Sequence, residues 1–213
     1  MAGEIQTTTV ITNLLPSLHA AALADLAFWT EADLIDFMDQ ALKRLARVAR
    51  VWVERDTSIT TEAATATYAL PARHLATIHV SFGAAPLRPA SAAELEARNP
   101  AYQTAAGTPD HWYEDGLGRN VGVAPVPEGA TALPLLMQAW PPALDTAKLN
   151  TLVQAPAPLA GYLAMYVLAK AYGREGESEM PDVAMHAEAR CQMYEEVFAH
   201  LYASPSGVQQ GCL

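Results

Sequence analysis

The 213-residue chain is 51% hydrophobic and 17% charged, with two cysteines, four tryptophans and a net charge of −10. That balance suits a folded chain with a sizeable core, because disordered chains lack the apolar surface to offset their ordering entropy. It excludes a disulfide-built scaffold, a run of the roughly 18 apolar residues that a membrane span needs, and tight non-specific binding to nucleic acid, which depends on neutralising phosphates.

The charge is uneven. Residues 1–42 hold six acids and no lysine or arginine, whereas residues 43–55 hold Lys43, Arg44, Arg47, Arg50 and Arg55 against Glu54 alone. Residues 171–213 are acidic again, with seven acids against two bases. The opening "MAGEIQTTTV" has neither a basic region nor an apolar core, so no secretory signal is expected there, and a cytoplasmic, reducing setting fits the two cysteines.

In chain order, a short helix is expected over about Ser17 to Ala27, followed by a long one through "WTEADLIDFMDQALKRLARVARVWVER". Thr30 is the expected N-cap, with Asp33 three residues on and Glu31 beside it at the positive end of the helix dipole. Apolar residues at Leu34, Ile35, Met38, Ala41, Leu42, Leu45, Val48, Ala49 and Trp52 keep helical spacing for about six turns. Lys43, Arg47 and Arg50 fall on the face opposite that stripe. They suit pairing with acids of a neighbouring helix or subunit, with contact to DNA as the alternative.

Residues 56–142 change character, with Thr-rich and alternating stretches broken by Pro and Gly. Strands are expected at "TATYALP", "LATIHVSF", "HWYED", "RNVGVAP" and "ALPLLMQAW", and "FGAAPL" reads as a turn. "SAAELEARNP" reads as a short helix with Ser91 and Glu94 forming a capping box, stopping before Pro100. Within "DHWYED", Asp110, Trp112 and Glu114 share one face, and His111, Tyr113 and Asp115 the other. "DGLG" at the end of this strand suggests a hairpin with a tight type I′ turn at Asp115-Gly116. Two closing helices follow, one in "PAPLAGYLAMYVLAKAYGREGE" that ends near Gly173 to Gly176, and one with Pro181 in its first turn, whose stripe runs Val183, Ala187, Cys191, Tyr194, Val197, Phe198 and Leu201.

Catalytic patterns are scarce. The six histidines form no HExxH or His-x-His pair, there is no phosphate-binding glycine loop before a helix, and Cys191 sits in an apolar helical stripe where an inert buried thiol is expected. No cofactor or metal is expected. A small hydrolase using His111 with Asp110 or Glu114 stands as one alternative, and a non-enzymatic binding or regulatory helical module as another.

Several stretches together resemble the bacteriophage head–tail adaptor, or connector, proteins. "FWTEADLIDFMDQALKRLARV" is similar to that family's opening helix. The middle region resembles its sequence of a Leu-Pro strand, a hairpin, an L-x-P-x-S-x-x-E-L segment, then G-x-P-x-x-Y and a strand ending in P-x-P. These elements fall here at Leu70-Pro71, Leu87, Pro89, Ser91, Glu94, Leu95, Gly107, Pro109, Tyr113, Pro125 and Pro127. The closing pair is similar at Tyr172, Gly176, Glu177 and Tyr194, and the likeness spans about residues 28–200.

The resemblance implies an α+β, mainly α fold: a helical bundle of N- and C-terminal helices carrying a β-rich antiparallel insertion. The expected division is a single domain over 1–213, with helices in 17–55, the insertion in 56–142, a helix pair in 157–203 and a flexible tail at 204–213. It also implies a virion protein without catalytic residues, cofactor or membrane contact. Such a protein forms a homo-oligomeric ring, commonly dodecameric, on the portal protein, meets the next neck or tail protein, and lets genomic DNA pass through its channel without specific binding. An acidic surface that repels DNA suits that task. It would assemble in the host cytoplasm and reside in the neck of the virion. Candidate interface residues are Lys43, Arg44, Arg47, Arg50, Trp112, Tyr113, Glu114, Asp115, Glu188, Glu195 and Glu196.

Overall fold

A computed structural model describes residues 31–115, 119–144, 159–173 and 180–202. Among these residues there are four helices and eight strands, arranged in two compact units. Residues up to Val51 and from Pro141 onward belong to one unit, and Trp52–Trp140 to the other. The expected mainly-α helical bundle with an inserted β segment is therefore corrected. The strands build two four-stranded sheets with cores of their own, so the β region is a full partner to the helices.

The helical unit contains α1 (Glu31–Val48), α3 (Leu159–Tyr172) and α4 (Pro181–Leu201). Its core follows the periodicity of α1: Leu34, Ile35, Met38, Ala41, Leu42, Leu45 and Ala46 are all buried. Helix α3 lies against both α1 and α4 and buries much of its surface, including Leu159, Tyr162, Leu163, Tyr166 and Val167. Met180 precedes α4 and Pro181 opens it, where a missing N–H costs nothing. Thr30, the expected 17–27 helix and the tail after 202 lie outside the described residues.

The long first helix is shorter than its apolar spacing suggested. It stops at Val48, and Val53–Asp56 form strand β1 instead of a last helical turn. Trp52 is buried in the sheet unit, where its carbonyl accepts the N–H of Ala139. Its helical spacing from Ala49 is thus coincidental, and tertiary pairing overrides local pattern.

The remaining strands are β2 (Thr67–Ala69), β3 (His74–Phe82), β4 (Ala85–Pro86), β5 (Arg88–Pro89), β6 (His111–Glu114), β7 (Asn120–Ala124) and β8 (Leu135–Ala139); α2 (Ala92–Arg98) lies between β5 and β6. One sheet runs β1-β8-β3-β4 and the other β2-β7-β6-β5. All pairings are antiparallel except β5 with β6. Pro89 is tolerated in β5 because that strand is an edge, where no ladder donor is missed. The β3–β4 turn uses Gly83 at φ +59, in the left-handed region that favours glycine.

One core joins Tyr68, Val80, Leu87, Val121, Val123, Leu133, Leu135 and Met137, with half-buried Trp112 packed on it. A second places Leu95 of α2 with Tyr102, Tyr113 and Ala124. Ser91 caps α2 as its sequence indicates: its Oγ accepts the Glu94 N–H at 3.2 Å, and the Glu94 carboxylate accepts the Ser91 N–H at 2.7 Å.

Candidate interaction surface

The basic run on α1 and the acids of α4 meet inside the chain. Arg44 Nε and Nη2 reach the two oxygens of Glu195 at 2.7 and 3.1 Å, and Nη1 reaches Glu188 at 2.8 Å. The guanidinium also lies over the Tyr166 ring, 5.6 Å from its centroid. Tyr162 donates its hydroxyl to Glu195 at 2.9 Å. Burial alone would lower the Arg44 pKa, but the two carboxylates outweigh it and hold the group above its ordinary value. Planar, two-pronged pairing of this kind is what arginine supplies and lysine does not. Arg44, Glu188 and Glu195 thus tie α1 to α4 within one copy. Cys191 is buried beside them, its thiol pushed up to about 12 by burial and by the acids, which agrees with an inert thiol.

The rest of the basic run faces outward. Lys43 pairs with Asp39 one turn earlier, whose other oxygen accepts the Leu144 N–H at 3.3 Å. Arg47 and Arg50 are exposed, as is Glu196 on α4.

On the sheet unit the alternation of β6 holds. Trp112 packs on the inter-strand core, whereas Tyr113 is buried beneath α2, 5.5 Å from Tyr102 in an edge-to-face contact. Its ring lies over Gly122, its direct cross-strand partner, so closely that a Cβ there would sit 2.1 Å from Tyr113 Cζ. The Trp112 indole Nε1 and the Tyr113 hydroxyl are buried without a hydrogen-bond partner among the described residues. Glu114 accepts the N–H of Thr77 at 3.2 Å, crossing to the other sheet. Register shifts flank Thr77 in β3, where an irregular strand leaves such a donor available. His74 lies in the same place, its side chain 6% exposed, with Nε2 2.9 Å from Thr77 Oγ1 and 3.7 Å from Glu114. Burial lowers its pKa, and Glu114 opposes that shift.

Asp115 lies at the end of the hairpin, where its N–H donates to the Asn120 carbonyl at 3.1 Å next to the Glu114–Val121 pair. The expected Asp115-Gly116 turn involves residues 116–118, which lie outside the described residues. The Asp115 carboxylate accepts the Arg119 N–H at 2.8 Å and the Asn120 amide at 2.6 Å.

His111 is held between Asp110, 2.6 Å from Nδ1, and Arg98 of α2, 3.0 Å from Nε2. Glu114 is on the opposite face of the strand with His74, so the structure does not bring His111 and Glu114 together. Among the described residues, no three His, Cys, Asp or Glu side chains are grouped to hold a metal, and no helix is long and apolar enough to cross a membrane.

One surface escaped the sequence reading. Val183, Val197 and Leu201 were expected in the buried stripe of α4, yet that stripe consists of Ala187, Cys191 and Phe198. Val197 is 53% exposed and Leu201 68%, alongside Met185 at 68% and Met193 at 66%. Apolar residues run almost around this helix, which leaves periodicity unable to choose a face.

The chain carries ties that hold its own elements together and an outer surface of mixed charge and apolar character, and its class is that of a bacteriophage head–tail adaptor. It belongs to the SU10 adaptor protein family, whose family model matches residues 9–206. It is thereby a virion component that works through other head or tail proteins. A comparison with curated proteins found no match.

Proposed function

We propose that this protein is a ring-forming head–tail adaptor that docks on the portal, extends the DNA channel and joins the capsid to the next neck or tail protein. The observation that carries the reading is the family match over residues 9–206, nearly the whole chain. The net charge of −10 supports it, because an acidic channel wall repels DNA and lets it slide. In this reading residues 1–213 act as one assembly part, a dodecamer is the expected ring, and the protein moves from the host cytoplasm to the virion neck. Of the candidate interface residues, Lys43, Arg47, Arg50 and Glu196 are exposed on the helical unit. Glu114 and Asp115 mark the hairpin end that would meet an adjoining component.

Native mass spectrometry and electron microscopy, with the protein alone and with the portal protein of the same virus, test the proposal. Rings coaxial with the portal are expected. A chain that stays monomeric and never binds portal refutes it.

A further inference from the structure

We infer that Asp110, His111 and Arg98 form a proton-operated latch that holds α2 on strand β6. His111 Nδ1 lies 2.6 Å from an Asp110 carboxylate oxygen, and Nε2 lies 3.0 Å from Nη1 of Arg98 in the last turn of α2. A guanidinium carries only donors and an ionised carboxylate only acceptors. Nε2 therefore accepts from Arg98 while the Nδ1–H donates to Asp110. Both bonds exist together only on a neutral imidazole with its proton on Nδ1. The His111 side chain is 14% exposed, so the ring is held between these two partners and not in open solvent.

A proton added at Nε2 removes the acceptor and sets an imidazolium against the guanidinium. The bond to Asp110 survives and gains from the charge. Acid thus breaks the link to α2 and keeps the one beside β6. The neighbouring charges do not reverse this. Glu94, one turn before Arg98 on α2, acts on both Arg98 and His111, but its carboxylate is taken up by the Ser91 N–H and hydroxyl at 2.7 and 2.9 Å. On β5 the register partner of His111 is Arg88, a further cation, and on β7 it is Ala124, which carries no charge. The latch sits beside the small core of Leu95, Tyr102, Tyr113 and Ala124, so its release loosens α2 while the larger core of the sheet unit stays in place. This side of the sheet unit therefore presents one surface at neutral pH and another in mild acid, under the control of His111.

The test uses the full chain. Nitrogen-15 spectra of the imidazoles at pH 7.5 should show His111 neutral with its proton on Nδ1. Amide hydrogen exchange in α2, corrected for intrinsic rates, should quicken by about fivefold to tenfold between pH 7.5 and 5.5, relative to strands β7 and β8. That is the low end of what a hydrogen bond to a charged group contributes, because Arg98 and Asp110 are exposed. In His111→Gln, which has no titrating ring, the response of α2 to acid should disappear. Arg98→Met keeps the aliphatic stem and removes the donor. Its α2 should exchange at pH 7.5 as fast as that of the wild type at pH 5.5, and respond no further. Circular dichroism confirms that each variant is folded. Arg98 is exposed, so the second variant decides the matter even where the first fails to fold. A proton on Nε2 at pH 7.5, a wild-type α2 indifferent to acid, or a response that survives either substitution overturns the inference.

Discussion

Substitution of Gly122 by alanine should damage the sheet unit through one side chain, Tyr113. A Cβ at position 122 would lie 2.1, 2.4 and 2.6 Å from Cζ, Cε1 and Cε2 of that ring. Carbon atoms in contact prefer about 3.5 Å or more, so the ring must retreat by over ~1 Å. Tyr113 is buried at 4% exposure between α2 and β7, with Tyr102 against its edge, so it has little room to move. Complete expulsion would re-expose about 150–250 Å² of aromatic surface, or about 4–6 kcal/mol at 25 cal/mol per Å². Overpacking that a core absorbs costs about 1–3 kcal/mol. With so close an overlap, we expect Gly122→Ala to cost about 3 kcal/mol. Urea unfolding followed by tryptophan fluorescence reads this unit well, since Trp52, Trp112 and Trp140 all lie in it. Tyr113→Phe, which keeps the ring and removes a hydroxyl buried without a partner, should change stability by no more than about 1 kcal/mol. In a Tyr113→Ala background the Gly122→Ala cost should fall below about 1 kcal/mol, because the overlap is gone. Stability of Gly122→Ala within about 0.5 kcal/mol of wild type, or an equal cost with and without the ring, would refute the reasoning.

Arg44→Ala should lower stability by about 1–2 kcal/mol, moderated because the side chain is 30% exposed, and Arg44→Lys should recover little since it cannot engage both carboxylates; thermal melts decide this. The His74 pKa is depressed in the folded protein by burial, so the unfolded chain takes up the proton first as the solution becomes acidic. Its contribution is therefore complete above about pH 6.5 and declines as the pH falls below that value, and the urea midpoint of His74→Gln should vary less between pH 7.5 and 5.5 than that of the wild type. With Cys212 changed to Ser, the native protein should resist a thiol reagent at neutral pH and react fully once unfolded, because Cys191 is buried with its thiol at about 12.

Much of this architecture can be read from residue pattern. The apolar stripe of α1, the Ser91–Glu94 cap and strands β3, β6, β7 and β8 announce themselves because each is long or chemically punctuated enough to show its period. Strand β1 does not, since the spacing of Ala49 and Trp52 continues the helical rhythm while the backbone has already left the helix. Strands β4 and β5, two residues each, are too short to alternate and exist through their neighbours. The family resemblance implied a mainly α fold, and strands this short gave no sign of two complete sheets. The pairing of Arg44 with Glu188 and Glu195 joins positions far apart in sequence, so composition reveals opposite charges without saying that they meet in the same copy. The Tyr113–Gly122 fit is equally silent: each residue is unremarkable until the register of β6 and β7 sets one over the other.

The first and last strands of the sheet unit run side by side, Val53 opposite Gln138, and Arg73 clasps the exit by holding the Trp140 carbonyl through Nε and Nη2 at 2.9 and 2.6 Å. The chain therefore enters and leaves residues 52–140 through a single doorway. A segment with such closely spaced ends can be exchanged as a cassette: loops far from the doorway can lengthen, shorten or change sequence without altering the span that the flanking helices must bridge.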